Sequence, residues 1–210
     1  MELDDAIAQI STIRSHLAAT EHLRSLRALP VAASGVLAAT AAVLQSWWCP
    51  EPLSDPAGYL SLWCGVAGLS GALAGAVVVR RTRRCPGSLS AANARLAAMQ
   101  FLPHVLVGAV VTWFVATAQP ALLWWLPGLW QLLFGLANLA THRLLPAPAT
   151  IVGVLFLASG TCCLWFGERA LHPWAMGLPF VVGQLTLAAI LWWHHERASR
   201  AVANGAEERA

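Results

Sequence analysis

Six stretches of this chain run for most of a bilayer's thickness without a single Asp, Glu, Lys or Arg. They are Leu29–Trp47, Tyr59–Val79, Phe101–Ala118, Leu122–Ala140, Ala149–Phe166 and Trp174–Trp193. About 20 mostly apolar residues carry an α-helix across the hydrocarbon core, where each backbone N–H and C=O must be paired within its own segment. The connections are short and hold turn residues, such as Cys49-Pro50-Glu51-Pro52, Gln119-Pro120 and Pro146-Ala147-Pro148. Composition agrees: 58% of the residues are hydrophobic and 11% charged, against about 25% charged in soluble domains. The expected fold class is all-α, an integral membrane bundle of six transmembrane helices over residues 29–195. An amphipathic segment (1–28) precedes it and a polar tail (196–210) follows. Disorder, a collagen-like chain, a disulfide scaffold and a large soluble enzyme are excluded.

Charge sets the expected orientation. The chain has thirteen Arg and no Lys. With six spans, twelve of these fall on one side: Arg14, Arg24 and Arg27 before the first span, Arg80, Arg81, Arg83, Arg84 and Arg95 between the second and third, Arg143 after the fourth, and Arg197, Arg200 and Arg209 after the sixth. Only Arg169 falls on the other side, with Glu51, Asp55 and Glu168. The positive-inside rule then puts both termini in the cytoplasm, and the absence of Lys suggests a GC-rich, bacterial-type genome, so a bacterial inner membrane is the expected location. The guanidinium groups flank apolar runs, so they point to lipid and not to nucleic acid. Trp47, Trp48, Trp63, Trp124, Trp125, Trp165 and Trp174 gather at the outer span ends, and Trp192 and Trp193 at an inner one, as expected of indoles at headgroup level. Met1-Glu2-Leu3-Asp4-Asp5 lacks the features of a signal peptide or a lipid anchor.

Two cytoplasmic segments are expected to be helical. In residues 2–26, Leu3, Ile10 and Leu17 recur every seven positions, and Ala6 and Ile13 complete the seam. Acids open the segment, Arg24 and Arg27 close it, and Pro30 marks the first span. The stripe would rest on the membrane surface, on the bundle or on a cytoplasmic protein partner. In the Arg-rich loop, residues 80–99, Ser88 or Ser90 caps a short helix over Ala91–Met99, and Pro103 bends the start of the third span. Arg80, Arg81, Arg83 and Arg84 suit anionic lipid headgroups, at about 1 kcal/mol each.

No Asp, Glu or Arg lies mid-span, which removes the usual markers of proton relays and the acid–base pairs of hydrolysis. The polar candidates are Gln131 and Gln184, each a few residues after a Leu-Pro pair ending in Pro127 or Pro179. A proline in a span frees a carbonyl and kinks the helix, so two parallel helices of this kind would line an outward-facing cavity. Alternatively, each Gln bonds to a neighbouring helix. His104, His142, His194 and His195 share the inner depth as weak metal or haem candidates, without HExxH or an i, i+4 His pair. The five Cys show no metal-ligand spacing, and neither metal nor cofactor is expected. Ala67, Gly71 and Gly75 form a small-residue ladder that suits a central position in the bundle or a homo-oligomer contact.

Two stretches carry a resemblance. One runs from Ile13-Arg14-Ser15-His16-Leu17 to Leu29-Pro30-Val31-Ala32. The other runs from Leu171-His172-Pro173-Trp174-Ala175-Met176-Gly177-Leu178-Pro179 through Gly183-Gln184 to His195-Glu196-Arg197. In them the chain is similar to uncharacterised bacterial multi-pass membrane proteins. The resemblance implies a membrane bundle and no activity. The expected function is that of a non-enzymatic regulatory, sensing or scaffolding subunit that engages a cytoplasmic partner or the inner leaflet. The alternative is a small permease or channel for a neutral or weakly polar solute.

Overall fold

The computed structural model describes residues 28–84 and 89–207, and among these every regular element is helical. The amphipathic segment expected over residues 2–26 lies outside the described residues. The six long helices are α1 (Ala28–Trp48), α2 (Pro56–Arg84), α3 (Leu89–Thr117), α4 (Leu126–Ala140), α5 (Thr150–Phe166) and α6 (Pro173–Glu207). Tight 3-10 turns at Pro120–Trp125, His142–Leu144, Ala147–Ala149 and Gly167–Leu171 join the later ones. Six helical segments, with α4 and α5 extended by their flanking 3-10 turns to Pro120–Ala140 and Ala147–Leu171, are long and apolar enough to cross a membrane, which is compatible with a multi-pass membrane protein.

The helices alternate in direction and pack as a ring in chain order, closed where α6 meets α1. The connections 49–55, 118–125 and 167–172 lie at one end of the ring, here called distal. The opposite, terminal end holds the start of α1, the end of α2, the start of α3, the α4–α5 connection and the far part of α6.

Two antiparallel pairs dominate the packing, and small residues set both. Between α4 and α5, a Cβ on Gly128 would come 2.8 Å from the Gly160 carbonyl oxygen, and one on Gly135 would come 2.9 Å from that of Gly153. Between α1 and α6, Gly35 meets the Gln184 Cβ at 3.2 Å and Gly177 meets the Ala42 Cβ at 2.6 Å. On each helix the two contact points are seven residues apart, so the small side chains return to one face every second turn and let backbones approach. A layer of rings fills the middle of the bundle. Phe134 on α4 lies 5.3 Å from Phe101 on α3, 4.8 Å from Phe156 on α5 and 5.2 Å from Phe180 on α6.

α2 and α3 depart from this pattern. A third or more of the apolar window is buried in each of the other four helices, against 6% in α2 and 11% in α3. α2 is held near its distal end by Tyr59 and Trp63, and the residues from Ala67 to Ala76 are almost all exposed.

The short helix expected over Ala91–Met99 is not separate from the third span. Leu89–Thr117 is one helix with Pro103 inside it, because a single missing N–H bends a helix without ending it. Pro127 and Pro179 differ from each other. Pro127 sits in the first turn of α4, where an N–H has no intrahelical partner, and Pro179 sits inside α6. The symmetry expected of the two Leu-Pro pairs therefore does not extend to the backbone.

Candidate functional site

A buried polar layer lies one to two turns in from the distal end. It begins with Pro179. Without an N–H, Pro179 gives no bond to the carbonyl four residues back, that of Ala175. Gln131 supplies the missing donor from α4: its Nε2 donates to the Ala175 oxygen at 3.0 Å. The same nitrogen lies 3.4 Å from Cys163 Sγ on α5 and 3.5 Å from Met176 Sδ on α6. The carbonyl only accepts, so the amide must turn its nitrogen towards it. That fixes Gln131 Oε1 on the other side, where it is buried without a hydrogen-bond partner.

Gln45 on α1, which sequence reading passed over, is the fully paired counterpart. Its Nε2 donates to the Leu171 oxygen at 2.8 Å, and its Oε1 accepts from Trp63 Nε1 at 2.8 Å. One carboxamide thus ties α1, α2 and the turn before α6, with 1% of its surface exposed. Trp63 is therefore a core residue, 4% exposed, and not one of the headgroup-level indoles. The expectation failed there because an indole N–H also suits a dry interior once a buried acceptor is within reach. Trp47, Trp48 and Trp165 are 79% or more exposed, as an interfacial belt requires. Gln45 was as legible as Gln131, being an uncharged amide within a predicted span.

Tyr59 completes the layer. It is 1% exposed, and its ring is parallel to that of Trp130 at 6.4 Å. It shares one buried cluster with Trp63, Leu126 and Met176, and its hydroxyl has no hydrogen-bond partner. Trp130, beside Gln131, donates instead to Thr112 on α3 at 2.9 Å.

The remaining candidates are dispersed. Gln184 is 5% exposed and lies where α6 crosses α1, with its Cβ against Gly35. Gln131 and Gln184 are drawn into different helix pairs. His104 Nδ1 is 3.1 Å from the Gln100 oxygen, and His142 Nδ1 is 2.8 Å from the Leu139 oxygen, so each ring serves its own helix. His194 borders a shallow cleft of about 440 Å³ with Pro148, Ala189, Ile190 and Trp193. The side chains of His195, Arg81 and Arg84 lie outside the described residues. Among the described residues, no three His, Cys, Asp or Glu gather to hold a metal. Arg80 and Arg83 are exposed at the terminal end.

The small-residue ladder does not occupy the centre of the bundle, one of its two expected places. Ala67, Gly71 and Gly75 are exposed, and a Cβ on Gly65, Gly68, Gly71 or Gly75 would meet nothing within 4 Å. The close crossings are made by glycines of α1, α4, α5 and α6 instead, and among the described residues the buried side chains of α2 are the distal Tyr59 and Trp63.

Outside the spans, Cys49 shows a clear electrostatic perturbation. Burial and then the Asp55 carboxylate push its thiol above the ordinary range, against a contact with the Tyr59 backbone that lowers it.

No protein-family model, curated protein or solved structure matches this chain.

Proposed function

We propose that the chain is a non-enzymatic multi-pass protein of a bacterial inner membrane, with both termini cytoplasmic, acting as a regulatory, sensing or scaffolding subunit through association within the bilayer. The observation that carries this reading is the sparse packing of α2. The other helices bury a third or more of their apolar windows, α3 apart, and the glycines of α1, α4, α5 and α6 face neighbours at close range. Along α2, four glycines face open space. In lipid, where apolar surface is not driven together by water, such a backbone gains by meeting another helix closely.

The exposed Cys64 offers a handle, because it precedes Gly68, Gly71 and Gly75 on the same helical face, at spacings of four, three and four. At the terminal end, Arg80 and Arg83 would seat the same helix against anionic headgroups. The packing also favours association over the permease alternative, since Gln131 and Gln184 are engaged in separate helix contacts.

The test is thiol crosslinking in native membranes with Cys64 as the only cysteine. An adduct that is lost in Gly71→Leu, while the monomer stays folded, supports the reading. Identical adducts and identical migration in Gly71→Leu and Gly75→Leu refute it. The expected cytoplasmic contact of residues 2–26 is tested separately. Deleting them should release a bound partner and leave membrane insertion intact.

A further inference from the structure

The buried layer holds two polar atoms with no partner among the described residues, and they are chemically complementary. Gln131 Oε1 only accepts, and the Tyr59 hydroxyl both donates and accepts. The two residues lie in one packed region. Met176 touches the Gln131 amide at 3.5 Å and belongs to the cluster that contains Tyr59. The Tyr59 ring lies parallel to that of Trp130, the residue before Gln131.

We infer that Tyr59 and Gln131 form a buried binding site for a small neutral hydrogen-bonding molecule of the size of water. Gln131 Oε1 would accept from it and the Tyr59 hydroxyl would donate to it. The chemistry restricts the class. No Asp, Glu, Arg or Lys belongs to the layer, so an ion would enter without a countercharge, which a low-dielectric interior strongly disfavours. The remaining neighbours are the sulfur atoms of Cys163 and Met176, weak partners that do not compete for strong hydrogen bonds. A buried water needs two to four polar partners, and this site offers two strong ones, with the Gln131 carboxamide held in orientation by its bond to the Ala175 carbonyl. Gln45 gives the contrast within the same layer: both ends of its carboxamide are paired by protein groups, so it leaves nothing for a ligand. This site is independent of the α2 face and would stand if that face proved to have no partner.

The sign of one substitution decides between a filled site and two unpaired atoms. Tyr59→Phe keeps the ring and its stack and removes only the hydroxyl. If the hydroxyl holds a bound molecule, its loss shifts the unfolding equilibrium in mixed micelles towards the unfolded state by about three- to tenfold. Tyr59→Phe combined with Gln131→Met then costs less than the sum of the two single changes, because both act on one bound molecule. A Tyr59→Phe protein that is equally or more stable, or an additive cycle, overturns the inference. A second measurement does not depend on a variant folding. In water-edited solid-state NMR of the full chain in lipid vesicles, magnetisation should pass from water to the Gln131 carboxamide far faster than to the Phe156 ring. Equal, slow transfer to both overturns it.

Discussion

The proline that weakens α6 also gives it its link to α4. Pro179 frees the Ala175 carbonyl, and Gln131 takes it up at 3.0 Å. Pro179→Ala would return an N–H to that carbonyl, so Gln131 and Pro179 should be energetically coupled. In a double-mutant cycle read by unfolding in mixed micelles, the coupling should be about 0.6–1.7 kcal/mol, the range of such bonds in membrane bundles. Gln45 carries more, since Gln45→Leu strands both the Trp63 N–H and the Leu171 carbonyl. A loss of about 1–3 kcal/mol per stranded group is expected from the same unfolding assay. Cys49 adds a pH signature. Its thiol is raised by burial and by Asp55, so at a given pH it holds less thiolate than a free cysteine. Alkylation should be slow near pH 8 and accelerate at higher pH, and Asp55→Asn should move that rise to lower pH. Mass spectrometry of the modified Cys49 peptide measures both shifts.

At the scale of elements, glycine has two different uses in one chain. Gly160→Leu drives a side chain against the Gly128 oxygen, which a Cβ alone would approach to 2.8 Å. Overpacking of this kind costs about 1–3 kcal/mol or more, and the α4–α5 pair should lose thermal stability as a monomer. Gly71→Leu meets open space and should leave monomer stability unchanged, which a side-by-side melting series checks. The sequence made the six helices legible because length and apolarity alone define such segments, and the expected spans lie within a few residues of those found, α3 apart. Which glycines sit at crossings was not legible. GxxxG between Gly71 and Gly75 drew attention, while the crossings actually formed use a spacing of seven, Gly128 to Gly135 and Gly153 to Gly160, which conveys nothing until the partner helix is known. The Gln131–Ala175 bond was half legible. Proline announces a free carbonyl, but the donor comes from 44 residues away. Trp63 was misplaced at the headgroup level for a related reason, since burial of an indole depends on an acceptor from another helix.

Across the whole molecule, order of synthesis and order of packing disagree. The first span's main partner is the last one: α1 meets α6 through Gly35, Ala42, Gly177 and Gln184. As the ribosome feeds this chain out, α1 must wait through four intervening spans with its small-residue face unmatched. The finished ring is thus a closure reached only once α6 is made. Nascent chains arrested before residue 173 should hold α1 in a protease-sensitive or chaperone-bound state, and full-length chains should release it. A message truncated ahead of α6 would therefore yield an unclosed ring, a product for quality control to remove.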